Sequence, residues 1–446
     1  MKIDLSSDQR EVYTAISRWS LGKSGGGVLG STLTCGGLAG SGKSTLIGVF
    51  AAETKLLVAY VCFTGRAASN LRRKLEAADV ETTRKMLTDD ERSLTGRWAH
   101  LFYGRHDPEE TMPFCDTIHR LLYRPIIDSR TEELRGWERR SQLDRSYDLI
   151  VVDEASMISD TVLEDLRAHG VRVLAVGDHG QLPPVRGSSS LMVAPDLRLE
   201  KIHRQAESSP IIRMAHALRT TGRFDPALAD GNAVQVLSKY EYTRVLKESV
   251  ATASSEESLN AHGPTAPLDV AVVCWKHVTR VSINRTVREM LGHQGKLPQV
   301  GEPVMALRNY PPVYNGMRGL LQRDAEQFSD SWWLLNVDID FPDEGVNVEN
   351  RNVCRDQFHR LPRRRGEQST FGSVDELKEA GIKVDSMGEA GHLYDFGYAM
   401  TVHKSQGSQF EHVVVCVDWN EGDTDDARRL AYTAVTRASG RLTVLR

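Results

Sequence analysis

The stretch GGLAGSGKST, Gly36–Thr45, constrains this chain more than any other. Gly37, Gly42, Lys43 and Ser44 keep the spacing of a glycine, four residues, a second glycine, a lysine and a hydroxyl residue, with Gly40 and Thr45 completing the turn. In that pattern successive backbone N–H groups of a glycine-rich loop point inward at phosphate oxygens, the lysine adds a point charge, and the hydroxyl offers a ligand to Mg²⁺. The flanks fit the same reading. STLTC alternates like a strand and STLIGVFAAET runs like a helix, so bound phosphates would sit at a helix N-terminus, where the dipole favours anions. The expected fold is therefore α/β around a nucleotide. Many unrelated tasks share such a cradle, so the rest of the chain must supply the task.

At 446 residues the chain is long enough for two or three domains, each with its own core. With 60 acids against 56 bases the net charge is −4, so bulk charge makes no case for nucleic acid, and a local basic channel would be needed. Bases cluster in RRKL at residues 72–75, GWERR at 136–140 and RRRG at 363–366, each of which can equally be a solvated face. The six cysteines are scattered, with no CxxC pair and no zinc spacing, and read as free thiols. No apolar run reaches bilayer length and no signal segment opens the chain, so a cytoplasmic setting without membrane contact is expected.

Along the chain, KLLVAYVCFT, YDLIVVDE and VRVLAVGD are continuous apolar runs between helical stretches, the pattern of buried parallel strands. The reading divides the chain into residues 1–218 and 219–446. The second domain resumes the rhythm at LDVAVVCWK and is split at about 322–396 by a mostly β insertion. It then closes through HVVVCVD and RLAYTAVTRASGRLTVLR, read as a helix, a glycine turn and a last strand.

Asp153 and Glu154 end the apolar strand DLIVVDEAS. Adjacent carboxylates there suit a division of labour, the first holding Mg²⁺ through water and the second orienting or deprotonating the attacking water. Gln181 lies beyond a further strand in VLAVGDHGQLPPV, where an amide could sense a γ-phosphate.

Taken in order, GGLAGSGKST, FTGRAASNL, DTIHRLL, VVDEAS, GDHGQLPPV, LEKIHRQ, TVHKSQGSQF and YTAVTRA resemble the motifs of superfamily 1 DNA helicases, in the branch of RecD and the phage helicase Dda. The resemblance runs from Gln9 to Arg437. It implies two RecA-like P-loop domains with parallel sheets, a pin-like insertion at about 124–147 in the first, an SH3-like insertion in the second, ATP between the domains and single-stranded DNA across both. Carried over position by position, Gln9 reads adenine, Lys43 and Ser44 hold the β/γ-phosphates and Mg²⁺, Gln181 couples the γ-phosphate to movement, and Arg204 and Arg437 act as arginine fingers. Gln9 could instead simply open a helix, and Arg204 could be a surface charge.

For DNA the matching positions are Thr64, Arg66, His119, Thr401, His403 and Lys404, donors on loops at strand ends that would contact phosphates without reading sequence. The histidines could equally pack or cap. Trp137, with Arg139 and Arg140, could stack on a base in the pin or be helical and inert. VYNGMRG resembles a family turn, though its Asn-Gly pair makes a hairpin turn in any setting. Gln409 stands where the family usually has a glutamate thought to hold the ribose, and residues 79–115 form a stretch longer than in the relatives, with no role assigned.

The expectation is a monomeric, ATP- and Mg²⁺-dependent helicase on single-stranded and forked DNA, moving 5′ to 3′, which could work with replication or recombination proteins. A nucleotide-switched clamp or loader is the alternative. A small-molecule phosphotransferase leaves the second domain unexplained.

Overall fold

The computed structural model describes residues 5–446 except 23–30, 84–111, 128–133, 185–190, 200, 202–207, 255–265, 294, 296, 309, 311–312, 329, 362–368 and 423. Arg204, the tip of the pin-like segment and most of the 79–115 stretch lie outside the described residues. The chain divides into two compact units, Met1–Ile126 with Arg135–Ser208, and Ser209–Arg446 with Ile127–Leu134.

Unit one is built on β1 (Thr32–Gly37), β2 (Val58–Cys62), β3 (Phe114–Thr117), β6 (Leu149–Asp153), β7 (Arg172–Gly177) and β8 (Leu197–Leu199), with β4 (Tyr123–Ile127) and β5 (Leu134–Arg139) forming a separate two-stranded ribbon. The main sheet runs β3-β2-β6-β7-β1-β8, and every pairing in it is parallel. Its central strands read as unbroken apolar runs because both faces are covered. Val58, Tyr60 and Cys62 pack with Leu149 and Val151 on one face, while Ala59 and Val61 pack with Ile150 and Val152 on the other.

The helices α1 (Ser7–Ser20), α2 (Lys43–Glu53) and α3 (Gly65–Glu76) line the first face through Val12, Ile16, Leu46, Phe50, Leu71 and Leu75. The short α4 (Ile118–Leu122) and α5 (Asp160–Arg167) line the second through Ile118, Leu121, Leu163 and Leu166. Hydroxyl N-caps fix where these helices start: Ser6, Thr64, Thr117 and Ser159 each accept from a backbone N–H of the first turn.

Unit two holds a second parallel sheet, in the order β17-β10-β18-β19-β9, from β9 (Val234–Leu237), β10 (Val270–Cys274), β17 (Ala399–Thr401), β18 (Phe410–Cys416) and β19 (Ala438–Leu445). Two parallel sheets, each flanked by helices, give the α/β architecture of two RecA-like domains. Between β10 and β17 the chain makes an antiparallel sheet, β13-β14-β12-β11-β16, from β11 (Pro303–Ala306), β12 (Arg318–Leu321), β13 (Glu326–Gln327), β14 (Leu334–Phe341) and β16 (Tyr394–Phe396), with β15 (Val346–Cys354) paired to β14. Its first two strands lie ahead of residue 322. In β14, Leu335, Val337, Ile339 and Phe341 are buried and alternate with partly exposed residues, the period of a sheet covered on one face.

The helices of unit two include α6 (Pro210–Thr221), α7 (His277–Met290), α8 (Val402–Ser405) and α9 (Asp425–Val435). On α7, Arg280, Asn284 and Arg288 form a polar stripe at i, i+4, i+8 that is buried. Arg280 Nη1 donates to Asp395 Oδ2 at 2.6 Å, and Arg288 donates to both oxygens of Glu302 at 2.7 and 3.1 Å. Asn284 bridges the carbonyl of Phe396 and the N–H of Ala399. The stripe thereby ties α7 to the antiparallel sheet by satisfied polar groups, beside the apolar contacts that Ile283 and Val287 make in the same core.

The expected glycine turn near the end of the chain is corrected by the structure. Gly440 lies inside β19, and the turn is Thr436–Arg437. A Cβ at Gly440 would sit 1.9 Å from Glu411 Oε1, the free end of an exposed side chain that can turn aside, and the β18/β19 register shifts at the same place.

Candidate nucleotide and nucleic-acid sites

In unit one the loop after β1 is shaped by its glycines. Gly40 and Gly42 hold φ of +79° and +82°, the left-handed region that L side chains resist. A Cβ on Gly37 would meet Ser41 Oγ at 2.5 Å and Lys43 Cγ at 3.0 Å, so the backbone can wrap tightly only because no side chain is there. Gly42 is the N-cap of α2 and offers no side-chain acceptor, which leaves the first-turn N–H groups for a ligand.

The polar groups of the loop are held by backbone carbonyls and by two charged side chains. Lys43 Nζ donates to the carbonyls of Gly37 and Leu38 at 2.7 and 2.9 Å, and lies 4.0 Å from Asp178 Oδ2. Ser41 Oγ donates to Leu38 O at 2.8 Å. Ser44 Oγ accepts from Lys74 Nζ of α3 at 2.8 Å, so its hydroxyl already faces a cation.

Asp153 ends β6, buried, and its Oδ1 accepts from the N–H of Glu154 at 2.9 Å. Glu154 itself sits at φ +55°, a sparsely populated conformation for a non-glycine residue. β1 and β6 both pair with β7, so Asp153 ends a strand two places from the one that leads into the loop. Beyond β7, the Asp178 carboxylate accepts from Gly180 N at 2.8 Å, and Gln181 N donates to Asp178 O at 3.2 Å, with the Gln181 side chain buried.

Gln9 is buried at the start of α1, where its Oε1 accepts from the Ser6 N–H at 3.0 Å in a reciprocal capping box. Thr64 caps α3 through Ala67 N, and Arg66 follows in its first turn. His119 lies between Phe63 and Tyr123, at ring distances of 5.4 and 5.5 Å, and burial lowers its pKa, so the imidazole is neutral at neutral pH. Trp137 is in β5, which excludes the helical alternative for this segment. The ribbon's base is anchored to α5 by Asp165, which accepts from Tyr123 OH at 2.5 Å and pairs with Arg139 at 3.3 Å.

In unit two Thr401 is buried and N-caps α8 from the end of β17. His403 meets Trp275 edge-on at 5.7 Å, and Lys404 Nζ bonds Asn315 of the Asn-Gly turn. Gln409 is exposed in the loop before β18. Arg437 is 2% exposed, and its guanidinium donates to Thr433 O, Ser408 O and Thr436 Oγ1 at 3.1, 3.2 and 3.1 Å.

Comparison with known proteins places the chain. A model described as an AAA domain matches residues 28–241, and one described as a UvrD-like helicase C-terminal domain matches residues 396–445. The ATP-dependent RecD2 DNA helicase of Deinococcus radiodurans is 39% identical over 75% of this chain and 40% of its own length. The RecD subunit of the RecBCD enzyme of Mycolicibacterium smegmatis is 28% identical over 93% of this chain and 68% of its own. In sequence the chain is similar to helicases of the RecD kind. It spans well under half the length of the Deinococcus relative. A solved structure of Pif1 helicases at forked double-stranded DNA is 17% identical over 99% of this chain and 92% of that one, with a TM-score of 0.48.

Unit one thus brings Gly37, Gly40, Gly42, Lys43, Ser44 and Thr45 together in one loop and the first turn of α2, with Asp153 and Glu154 at the end of β6 and Gln181 in the turn beyond β7. Three residues escaped the sequence reading. Asp178 is the carboxylate nearest Lys43, and its place beside Gln181 in GDHGQLPP was the available signal. Lys74 and Asp165 act through contacts with residues far away in sequence, and no local pattern marks them. Among the described residues no cluster of His, Cys, Asp and Glu could hold a metal by itself, all six cysteines are free and buried, and no helix is long and apolar enough to cross a membrane.

Proposed function

We propose that this chain is an ATP-driven motor on single-stranded DNA that separates duplex ahead of it, moving 5′ to 3′. The observation that carries the reading is the glycine loop, with Lys43 beside Asp178 and with Asp153 and Glu154 two strands away in the same sheet. The RecD relatives support the same reading.

In this mechanism the phosphates of ATP take the places that Gly37 O and Leu38 O now give to the Lys43 ammonium, and Asp178 holds the lysine on the cradle side. Ser44 Oγ, and Asp153 through water, would hold Mg²⁺, which would supply positive charge to the phosphates. Glu154 orients or deprotonates the attacking water, and Gln181 senses the γ-phosphate. Gln9 exchanges its capping bond for the adenine, and Gln409 is the candidate partner of the ribose. Arg204 and Arg437 complete the charge as fingers, which makes turnover depend on conformational closure. Thr64, Arg66, His119, Thr401, His403 and Lys404 hold the DNA backbone, and Trp137 belongs to the separating ribbon. The chain acts as a monomer on single-stranded and forked DNA.

The burial of Arg437 among its own acceptors favours one rival, a nucleotide-switched clamp that changes shape with little turnover. ATP hydrolysis with and without single-stranded DNA, at low and moderate salt, separates the two. A motor gives a large stimulation that weakens as salt displaces the DNA. A clamp gives none. Polarity is read from duplexes with a 5′ or a 3′ single-stranded tail, and unwinding only of the 3′-tailed substrate would reverse the assignment.

A further inference from the structure

Trp275 follows the last residue of β10, at the carboxyl end of a parallel strand whose Cys274 is in register with Thr401 of β17. Open α/β sheets take their ligands at such ends. The backbone there is fixed: the N–H groups of Trp275 and Lys276 donate to the two oxygens of Asp418 at 2.7 and 2.9 Å, from the loop that follows β18. Cys274 Sγ lies 3.6 Å from both Lys276 O and Met400 O, which ties the same corner to β17.

This corner presents the indole rather than burying it. Trp275 is 40% exposed, and Val278, in the first turn of α7, is 63% exposed beside it in sequence. The ring planes of Trp275 and His403 stand at 64° with centroids 5.7 Å apart. In either sense of an edge-to-face pair, His403 leaves at least one indole face uncovered. Burial lowers the His403 pKa, so a neutral imidazole braces the ring. Lys276 is the next residue along the chain, and Lys404 follows His403. An apolar ring held at a ligand-binding strand end, with one lysine next to it along the chain and another next to its brace, is the arrangement that takes single-stranded nucleic acid: the ring stacks on a base while the lysines meet phosphates.

We infer that Trp275, braced by His403, is a base-stacking platform for the single strand, with Lys276 and Lys404 on the flanking phosphates. The inference rests on the single-stranded-DNA reading above and adds to it a contact with base faces. Every base has a π-face, so the platform tolerates any sequence and fails only where the base is missing.

The test is binding of the full chain to fluorescent oligothymidylate and to a strand of the same length built from abasic sites. Trp275→Ala should weaken binding to oligothymidylate by roughly 5- to 150-fold, leave binding to the abasic strand unchanged, and abolish quenching of a 2-aminopurine placed in the strand. Trp275→Phe should restore most of the affinity and the quenching. Equal binding of Trp275→Ala and wild type to oligothymidylate, or an equal loss on both strands, would overturn the platform while leaving the DNA track intact. A wild-type chain that binds neither strand would remove the DNA reading itself, and the platform with it.

Discussion

The glycine loop of unit one and the Arg437 corner of unit two hold their cations in contrasting ways. Lys43 is held mainly by two carbonyls of its own loop, its side chain keeps 15% exposure, and the nearest carboxylate stands off at 4.0 Å. Phosphate oxygens can replace neutral carbonyls with a net gain, because the hydrogen bonds become charge-assisted. Arg437 is fully inside its unit and satisfied by three acceptors. Removing it from them leaves buried carbonyls unpaired, so any reach toward phosphate needs Ser408 and the loop before β18 to move with it. A cradle is ready before its ligand arrives. A finger of this kind has to be released.

The largest effect tests the first half of that contrast. Lys43→Ala should bring ATP turnover and unwinding to background while single-strand binding stays near wild type and the unfolding midpoint drops only modestly, since two loop carbonyls lose a donor and Asp178 loses a cation 4.0 Å away. Persisting unwinding would end the motor assignment. Arg437→Ala tests the second half. It should cut turnover by roughly 10³- to 10⁵-fold if the residue is a finger, and lower stability as well. A loss of stability with turnover intact would make Arg437 a structural residue only.

A third substitution asks whether unit two depends on buried charge elsewhere. Glu302, 1% exposed, accepts from Arg288 Nε and Nη2, from Tyr398 OH and from Gln299 N. Glu302→Ala leaves the Arg288 guanidinium buried and uncompensated, and should destabilise by about 3–5 kcal/mol in denaturant unfolding. A change under about 1 kcal/mol would show that α7 is held by packing alone.

Asp178→Asn should lower kcat by roughly 10- to 100-fold, the usual size of a lost positioning contact. The amide keeps the bond from Gly180 N but loses its attraction for Lys43. Unchanged kcat would confine Asp178 to shaping its own turn.

The smallest effect is a pH dependence. Burial lowers the pKa of His277, His359 and His412 to about 4 and of His392 to about 3, all in unit two. Each is neutral when folded and gains a proton on unfolding below about pH 6.5. Their stabilising effect is therefore fully present above that pH and is lost as pH falls toward 4. Unfolding monitored between pH 7.5 and 5 should show the decline, and His392→Phe, which keeps a ring stacked on Tyr310, should make it shallower. A flat profile in the wild type would contradict the burial argument.

The cradle was legible because glycine spacing is a local backbone requirement: the φ values of Gly40 and Gly42 and the close approach of Ser41 to Gly37 involve only neighbours in sequence. The buried strands were legible too, since a strand covered on both faces must be apolar throughout. The stripe Arg280, Asn284, Arg288 was not. By composition it is the solvated face of an amphipathic helix, and its partners Asp395 and Phe396 lie more than 100 residues away. Gly440 misled for a related reason. It lies inside β19, where the register with the adjacent strand shifts, and not in a turn.

By itself the sequence determined the α/β alternation, the phosphate loop and the carboxylate pair that ends β6, because each depends on contacts within a few residues. Only the tertiary structure decided that Asp178 stands beside Lys43, that Arg437 is satisfied inside its own unit, and that Asp418 and His403 hold a part-exposed Trp275 at a strand end. These are meetings of groups distant along the chain, and their geometry exists only once strand order and register have brought the strand ends side by side.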